Sequence, residues 1–273
     1  MAVVVRFNLL GPLEVRVQGR PANIRGGRQR ILLVLLLLGE GASVSKDQLI
    51  GEIWGDDLPA RVDNALQAVV TRLRRSLDAW CGSGFARERL VSEQSGYSLW
   101  LDDQTVDLRE FESLRSEAHG LMTSDPARSA AALEEALGLW RGPALEGVGG
   151  GVLCGSAAAR LDEERLLALE DKIELEHRGG RHAGTVAELR RLTMLYPLHE
   201  RLSEQLMVAL YRSGRPAEAL DVYWRLRTAL RGELGLDPTP TVQSRMQAIL
   251  QHDMADVLPH EKGREIPRRS AVA

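Results

Sequence analysis

Residues 61–80, in the first third of the chain, separate apolar from polar side chains at helical spacing. At 100° per residue, one side carries only hydrocarbon side chains: Val62, Leu66, Val69, Val70, Leu73 and Leu77. The opposite side carries guanidinium, amide and hydroxyl groups: Arg61, Asn64, Thr71, Arg72 and Arg75, with Gln67 and Arg74 on its flanks. The spacing predicts a helix that is buried along the first side and exposes a polar, cationic face along the second.

The polar face carries the side-chain types that read DNA bases in the major groove. The amides of Asn64 and Gln67 can make bidentate contacts with adenine, and the guanidinium of Arg72 can do so with guanine. Thr71 can contact a thymine methyl group or a phosphate. The remaining candidate DNA contacts are cations: Lys46, Arg61, Arg74, Arg75, Arg87 and Arg89. Of these, Lys46, Arg74 and Arg75 best suit phosphates, contacts that position a protein on the duplex without reading its sequence.

The segments around this helix have the order of a helix-turn-helix with a wing. Ser45, followed three residues later by Gln48, has the spacing of a capping box, and a short helix with an apolar face follows. After a turn near Pro59 comes the longer helix, and then two strand-like segments, 89–92 and 97–101, flank a turn. In this geometry the second helix enters the major groove. The alternative is a surface helix whose arginines cluster without binding DNA.

The wing tip is a weaker candidate for DNA contact than the wing base. Residues 93–96 at the tip include Glu93 and no cation, so we expect the contacts at the base, from Arg87 and Arg89. Three residues of the second wing strand share one face by period-two alternation and are expected to be core residues: Tyr97, Leu99 and Leu101.

Two further elements complete the first domain. Residues 3–10 and 13–17 read as strands of a small antiparallel meander, with a break at Gly11 and Pro12. From Gly27 to about Leu38 the sequence is apolar on nearly all sides, which predicts a core helix. Together these patterns predict an α+β winged helix-turn-helix domain over residues 1–104.

Beyond residue 104 almost everything is amphipathic helix. The sequence GRHA at 180–183 recurs as GRPA at 214–217, an offset of 34 residues. A 34-residue period with glycine at the turn between helices is typical of tetratricopeptide-like hairpins. We therefore expect an all-α tetratricopeptide-like domain over residues 105–253. Residues 254–273 have little apolar periodicity and are expected to form a disordered tail.

Charge is distributed unevenly along the chain. The net charge is -3, but residues 1–101 hold 13 Lys+Arg against 10 Asp+Glu, whereas residues 102–273 hold 22 against 28. A polyanion is therefore expected to meet the first domain.

The longest hydrocarbon run, 31–38, has eight residues, whereas a membrane span needs about 20. Two cysteines provide no disulfide framework and suit a reducing cytosol, so we expect a cytoplasmic protein. With the predicted DNA binding, we expect it to be associated with the nucleoid.

Patterns typical of catalysis, cofactors and metals do not occur. The glycine-rich segment 147–151 is followed by no Gly-Lys-Ser/Thr and opens no dinucleotide fingerprint, so it is expected to be a flexible loop. All six histidines fall after residue 118, and none has zinc-site spacing. The carboxylate clusters lie on helical segments with arginines nearby, as solvated faces do. The sequence therefore predicts no enzyme, no cofactor and no metal site.

Motifs in order along residues 5–253 resemble the Streptomyces antibiotic regulatory protein family of transcriptional activators. In the first domain, which looks like the OmpR-type winged helix, the matching stretches are FNLLGPLEV at 7–15, GRQR at 27–30, LIGEIWG at 49–55, NALQ through RLRR within 64–75, and GYSL at 96–99. In the second, which looks like the bacterial transcriptional activation domain, they are LWRGPAL at 139–145, LDEER at 161–165, LMVALYRSGR at 206–215 and ELGLDP at 233–238.

The resemblance implies a small transcriptional activator that is specific for one secondary-metabolite biosynthetic cluster, such as that of an antibiotic. Such a protein would bind direct repeats in double-stranded DNA near the promoter -35 element, with two copies side by side, and recruit RNA polymerase holoenzyme. No nucleotide-binding or sensor module follows in this sequence, so regulation by abundance is the expectation. One segment departs from the family: residues 147–155 are unusually rich in glycine, which puts the packing around the first helical hairpin in question.

Two other function classes stay open on the sequence alone. One is a helical-repeat adaptor whose winged helix binds no DNA and only docks proteins; it would show no salt-sensitive shift with the DNA upstream of its gene. The other is a nucleotide-hydrolysing regulator, which the absence of a phosphate-binding motif disfavours and which an ATP titration would test.

Overall fold

The computed structural model describes residues 4–101 and 106–252. The chain divides into two compact units at Lys172 and Ile173. The first unit contains a winged helix and the beginning of the helical part, and the second contains the remaining helices. The expected domain boundary near residue 104 and the expected tail at 254–273 lie outside the described residues.

The first unit opens with a three-stranded antiparallel sheet. Its strands are β1 (Val5–Asn8), β2 (Glu14–Val17) and β3 (Arg20–Ala22), in the order β1-β2-β3, with Phe7 opposite Val15. The first two strands confirm the predicted meander. The three-residue β3 was not predicted, because it contains a proline and shows no alternation.

Three helices follow, as the apolar patterns predict. Helix α1 (Gly27–Leu38) buries every side chain from Ile31 to Leu37, α2 is Lys46–Trp54, and α3 is Val62–Cys81. The capping box at α2 is confirmed: Gln48 N donates to Ser45 Oγ at 3.2 Å, and Ser45 N donates to Gln48 Oε1 at 3.1 Å.

The wing belongs to a second antiparallel sheet of three strands. These are β4 (Val44–Ser45), β5 (Leu90–Ser92) and β6 (Gly96–Leu99), in the order β4-β6-β5, and a five-residue helix α4 (Phe85–Arg89) precedes β5. Tyr97 and Leu99 are buried, but Leu101 lies beyond the strand and is only half-buried, so its assignment to the core was wrong. Ser98, on the opposite face of β6, is buried too, so the central strand of this sheet is covered on both faces.

The rest of the first unit is helical. Helices α5 (Asp107–Leu121) and α6 (Pro126–Gly138) pack against each other, and Ser129 Oγ donates to the Ala118 carbonyl at 2.7 Å between them. Phe111 meets Trp140 edge to face at 5.4 Å between ring centroids. Helix α7 (Val152–Arg178) begins in this unit and ends in the second.

The second unit confirms the predicted helical repeat. Its helices are α8 (His182–Leu195), α9 (Glu200–Arg212), α10 (Pro216–Leu234) and α11 (Pro240–Gln251). The glycines of the 34-residue repeat, Gly180 and Gly214, have φ of +76° and +75° in the turns before α8 and α10. Two pairs of residues related by this offset are all buried: Leu189 and Tyr223, and Leu192 and Leu226. The fold is therefore a winged helix followed by a tetratricopeptide-like helical domain, as expected.

Candidate nucleic-acid interface

Helix α3 buries one side and exposes the other, as its sequence predicts. Leu66, Leu73 and Leu77 are at most 1% exposed, and burying each such side chain contributes about 1.5 to 3 kcal/mol. The exposed side carries five of the ten candidate DNA contacts, Asn64, Gln67, Thr71, Arg72 and Arg75, and a sixth, the exposed Arg61, is the N-cap residue directly before the helix. The structure thus brings the predicted base-reading groups together on one solvent-facing helix surface. We call these six residues the recognition face.

Two polar contacts in its C-terminal turns fix α3 in the winged helix. Gln29, a buried residue of α1, donates from Nε2 to Ser76 Oγ at 2.7 Å. Near the end of α3, Asp78 Oδ1 accepts a hydrogen bond from Ala86 N at 2.8 Å, which ties α3 to α4. Because both contacts use groups outside the recognition face, they hold the helix without consuming its base-reading side chains.

Two of the cations predicted to contact phosphates hold the wing in this structure. The half-buried Arg74 donates from Nη2 to the Leu90 carbonyl at 3.0 Å and to Ser92 Oγ at 2.8 Å. Lys46 donates from Nζ to the Gln94 carbonyl at 3.2 Å, and its backbone N–H donates to the Ser95 carbonyl at 2.9 Å. The wing is therefore anchored at two places. Arg74 of α3 holds its first strand, and Lys46 of α2 holds its tip.

The last two candidate contacts lie on α4 rather than on the hairpin. Arg87 is exposed on this short helix, and Arg89 is half-buried at its end, where its carbonyl accepts the Trp100 N–H at 2.9 Å. The sequence had placed both at the base of the hairpin, and a helix there was missed because five residues show no periodicity. The wing tip at residues 93–95 is exposed and carries Glu93.

A buried carboxylate, Glu52 on α2, was not singled out from the sequence. Its side chain accepts backbone N–H groups at the start of α7: Oε1 from Leu153 at 2.7 Å, and Oε2 from Gly151 at 2.8 Å and Cys154 at 3.1 Å. We call this arrangement the Glu52 clamp. The sequence signal for it is the glycine-rich segment at 147–155, which departs from the family pattern.

A second buried carboxylate, Asp107, joins the β1–β2 turn to the helical part of the same unit. Asp107 accepts the Leu9 N–H at 2.7 Å and the Leu10 N–H at 3.1 Å. Burial raises the pKa of this carboxyl, against the effect of those two hydrogen bonds. The turn is held from its carbonyl side too, since Arg141 N donates to the Leu10 carbonyl at 2.8 Å and Leu145 N to the Leu9 carbonyl at 3.1 Å.

Close packing at this turn explains one glycine of the FNLLGPLEV motif. Gly11 has φ of +141°, and a Cβ there would lie 3.0 Å from Arg141 Cβ. Only glycine fits both the backbone angle and the contact.

Metal and membrane signals are absent from the part of the chain that the structure describes. Within residues 4–101 and 106–252, no three His, Cys, Asp or Glu side chains come together as metal ligands. No helix in the same ranges is long and apolar enough to cross a membrane.

Comparison with known proteins matches both parts of the chain. The family model "Bacterial transcriptional activator domain" matches residues 106–250, and "Transcriptional regulatory protein, C terminal" matches residues 25–84. The transcriptional regulator RedD of Streptomyces coelicolor is 40% identical over 261 residues, which are 96% of this chain and 75% of RedD. The regulatory protein DnrI of Streptomyces peucetius is 36% identical over 273 residues, covering 98% of this chain and 99% of DnrI.

A solved structure has the same fold. The structure of Mycobacterium tuberculosis EmbR in complex with a low-affinity phosphopeptide superposes with a TM-score of 0.85 at 31% identity, covering 92% of this chain and 66% of that chain. The matched domains and relatives are regulators of transcription and not enzymes. The chain therefore belongs to the Streptomyces antibiotic regulatory protein family of transcriptional regulators, which implies DNA binding.

Proposed function

We propose that this protein activates one secondary-metabolite biosynthetic cluster by binding direct repeats near the promoter -35 element and recruiting RNA polymerase holoenzyme. The observation that carries this proposal is the recognition face. Amide, hydroxyl and guanidinium groups stand exposed on one side of a helix whose other side is buried. That is the arrangement of a recognition helix in a major groove.

Within this proposal the residues of the recognition face have different roles. Asn64, Gln67, Thr71 and Arg72 read base edges, and Arg61 and Arg75 contact phosphates on either side of them. Arg87 and Arg89 contact the backbone near the wing. Lys46 and Arg74 already donate hydrogen bonds to wing carbonyls, so these two side chains support DNA binding mainly by positioning the wing.

The two domains divide the work. Residues 1–104 bind DNA and residues 105–253 form the activation domain, a division supported by the family models at 25–84 and 106–250. Two copies bind side by side, one on each direct repeat, so that both present the same face to the DNA. A regulator acting in this way works in the cytoplasm at the nucleoid.

A footprint on the DNA that flanks the protein's own gene tests the proposal. We expect two protected segments of related sequence, about one helical turn apart, and a dissociation constant that rises steeply with salt. In vitro transcription from the same DNA should then increase on addition of the protein. A complete lack of salt-sensitive binding would contradict the proposal and favour the alternative, a helical-repeat adaptor that binds only proteins.

A further inference from the structure

The Glu52 clamp joins the DNA-reading part of the first unit to the beginning of its activation domain. Glu52 is 7% exposed and lies on α2, the first helix of the helix-turn-helix. Its three hydrogen-bond donors come from residues about one hundred positions later, at the N-terminal end of the 27-residue helix α7. The N–H groups in the first turn of a helix have no partner within the helix, and here a carboxylate from another domain accepts them.

The charge of Glu52 suits this position. Burial raises the pKa of the carboxyl, but the three backbone hydrogen bonds outweigh that effect, and the pKa of Glu52 lies below its ordinary value. The group is therefore ionised at neutral pH, opposite the partial positive charge of a helix N-terminus. Hydrogen bonds to an ionised acceptor are stronger than those between neutral groups.

The glycine-rich segment is what permits the clamp to close. A Cβ at Gly151 would lie 2.9 Å from Glu52 Oε1, and one at Gly150 would lie 2.8 Å from Cys154 Sγ. Gly150 also has φ of +103°, which side chains other than hydrogen strongly disfavour. These glycines are therefore required for the backbone to approach the carboxylate, and the segment is not simply a loose connection between α6 and α7.

We propose that Glu52 is a positioning residue. By fixing the start of the activation domain relative to the recognition helix, it enables the DNA-bound protein to recruit RNA polymerase. The segment between α6 and α7 is held at one end by the β1–β2 turn, through Arg141 and Leu145, and at the other by Glu52. Opening the Glu52 end frees the start of α7. Recruitment depends on the local concentration of the activating surface at the polymerase, which a fixed geometry raises. This inference rests on the proposed recruitment of RNA polymerase.

Two substitutions open the clamp from opposite sides, and each has a matched control. Glu52→Gln removes the charge, and Gly151→Ala places a methyl group against Oε1. Glu163→Gln removes an exposed carboxylate from α7, and Gly155→Ala adds a methyl group where nothing lies within 4 Å. All four are made in the full chain, and folding is checked by thermal melts.

Three measurements on each variant separate the possible causes. Amide hydrogen exchange at residues 151–154 reports the clamp itself, and footprint titration gives the operator dissociation constant. Transcription by RNA polymerase holoenzyme at saturating occupancy of the operator gives the activation per bound protein. For Glu52→Gln and Gly151→Ala we expect faster exchange, a dissociation constant within about twofold of wild type, and at least about fivefold less transcription at saturation. Both controls should match wild type in all three.

Full transcription at saturation in a variant whose amides exchange faster would overturn the inference. So would unchanged exchange in both variants, or a loss of transcription that is entirely explained by weaker operator binding. If Glu52→Gln does not fold, Gly151→Ala decides. Failure of the wild-type protein to activate transcription would instead contradict the proposed function, and the exchange measurement would still test whether the clamp is closed.

Discussion

The guanidinium of Arg74, on the recognition helix, donates a hydrogen bond to the carbonyl of Leu90, the first residue of the wing. A second hydrogen bond reaches the hydroxyl of Ser92 in the same strand. A side chain that the sequence suggested for a phosphate therefore links helix α3 to the first strand of the wing. The neighbouring Arg75 is exposed, so the two adjacent arginines have different environments and should respond differently to substitution.

Replacing Arg74 should weaken DNA binding without the salt signature of a lost phosphate contact. Arg75→Ala removes an exposed cation and is expected to reduce the slope of log K against log salt by about one. Arg74→Met keeps the length of the side chain but releases Leu90 and Ser92, so affinity should fall with a smaller change in slope. Titrations of one operator at several salt concentrations give both slopes. If both variants reduced the slope equally, the prediction would be wrong and Arg74 would be a phosphate contact.

Replacing Arg72 should reduce sequence discrimination rather than general affinity. A bidentate contact between an arginine and guanine contributes about 1 to 3 kcal/mol of discrimination. We expect Arg72→Ala to bind the operator and a random duplex with more similar affinities, whereas Arg75→Ala weakens both alike. Competition titrations with the two duplexes measure the ratio. The base-reading role of Arg72 is wrong if its loss leaves that ratio at the wild-type value.

The distance between the two repeats should control activation. Side-by-side copies face the same side of the duplex only when the repeats are about one helical turn apart. Inserting half a turn, about 5 base pairs, rotates one copy to the opposite side, so joint binding and transcription should both fall. Inserting a full turn should restore the relative orientation and serves as the control. Undiminished activation after the half-turn insertion would reject the side-by-side arrangement.

The stability of the second unit should decrease as the pH falls from about 6.5 towards 4. Burial, with a smaller effect from nearby His182, lowers the pKa of His177 from 6.5 to about 4, and its Nε2 lies 2.9 Å from Thr185 Oγ1. Because the unfolded chain takes up this proton at higher pH than the folded one does, acid favours unfolding across that window. His177→Gln should flatten the pH dependence of the melting temperature between pH 6.5 and 5. His119→Gln, a change at an exposed position, is the control and should leave this pH dependence unchanged. If wild type and His177→Gln had the same pH dependence of the melting temperature, the lowered pKa of His177 would be contradicted.

Much of the winged helix could be predicted from the sequence because its signals are local. The period of the apolar residues located α3 and its exposed face, and the capping box at Ser45 and Gln48 located the start of α2. The very short elements β3, β4 and α4 were missed, because two to five residues cannot display a period.

Contacts between distant parts of the chain could not be predicted in the same way. Nothing near Glu52 distinguishes it from a solvated carboxylate, because its partners are about one hundred residues away. The same holds for Arg74, whose bonding to Leu90 depends on where the wing folds back. The glycines at 150 and 151 were visible in the sequence, but only their close contacts, Gly150 with Cys154 and Gly151 with Glu52, give the reason for them.

The central claim is that the exposed side of α3 lies in the major groove of the operator. Ala68 is exposed at the centre of that side, so Ala68→Cys in a chain with Cys81→Ser can carry an iron–EDTA group that cleaves nearby DNA. Ala187→Cys, exposed on α8, is the control position. We predict cleavage from position 68 centred within each repeat, with the strand offset of a major-groove reagent, and none centred there from position 187. An intact footprint without cleavage from position 68 would contradict the account.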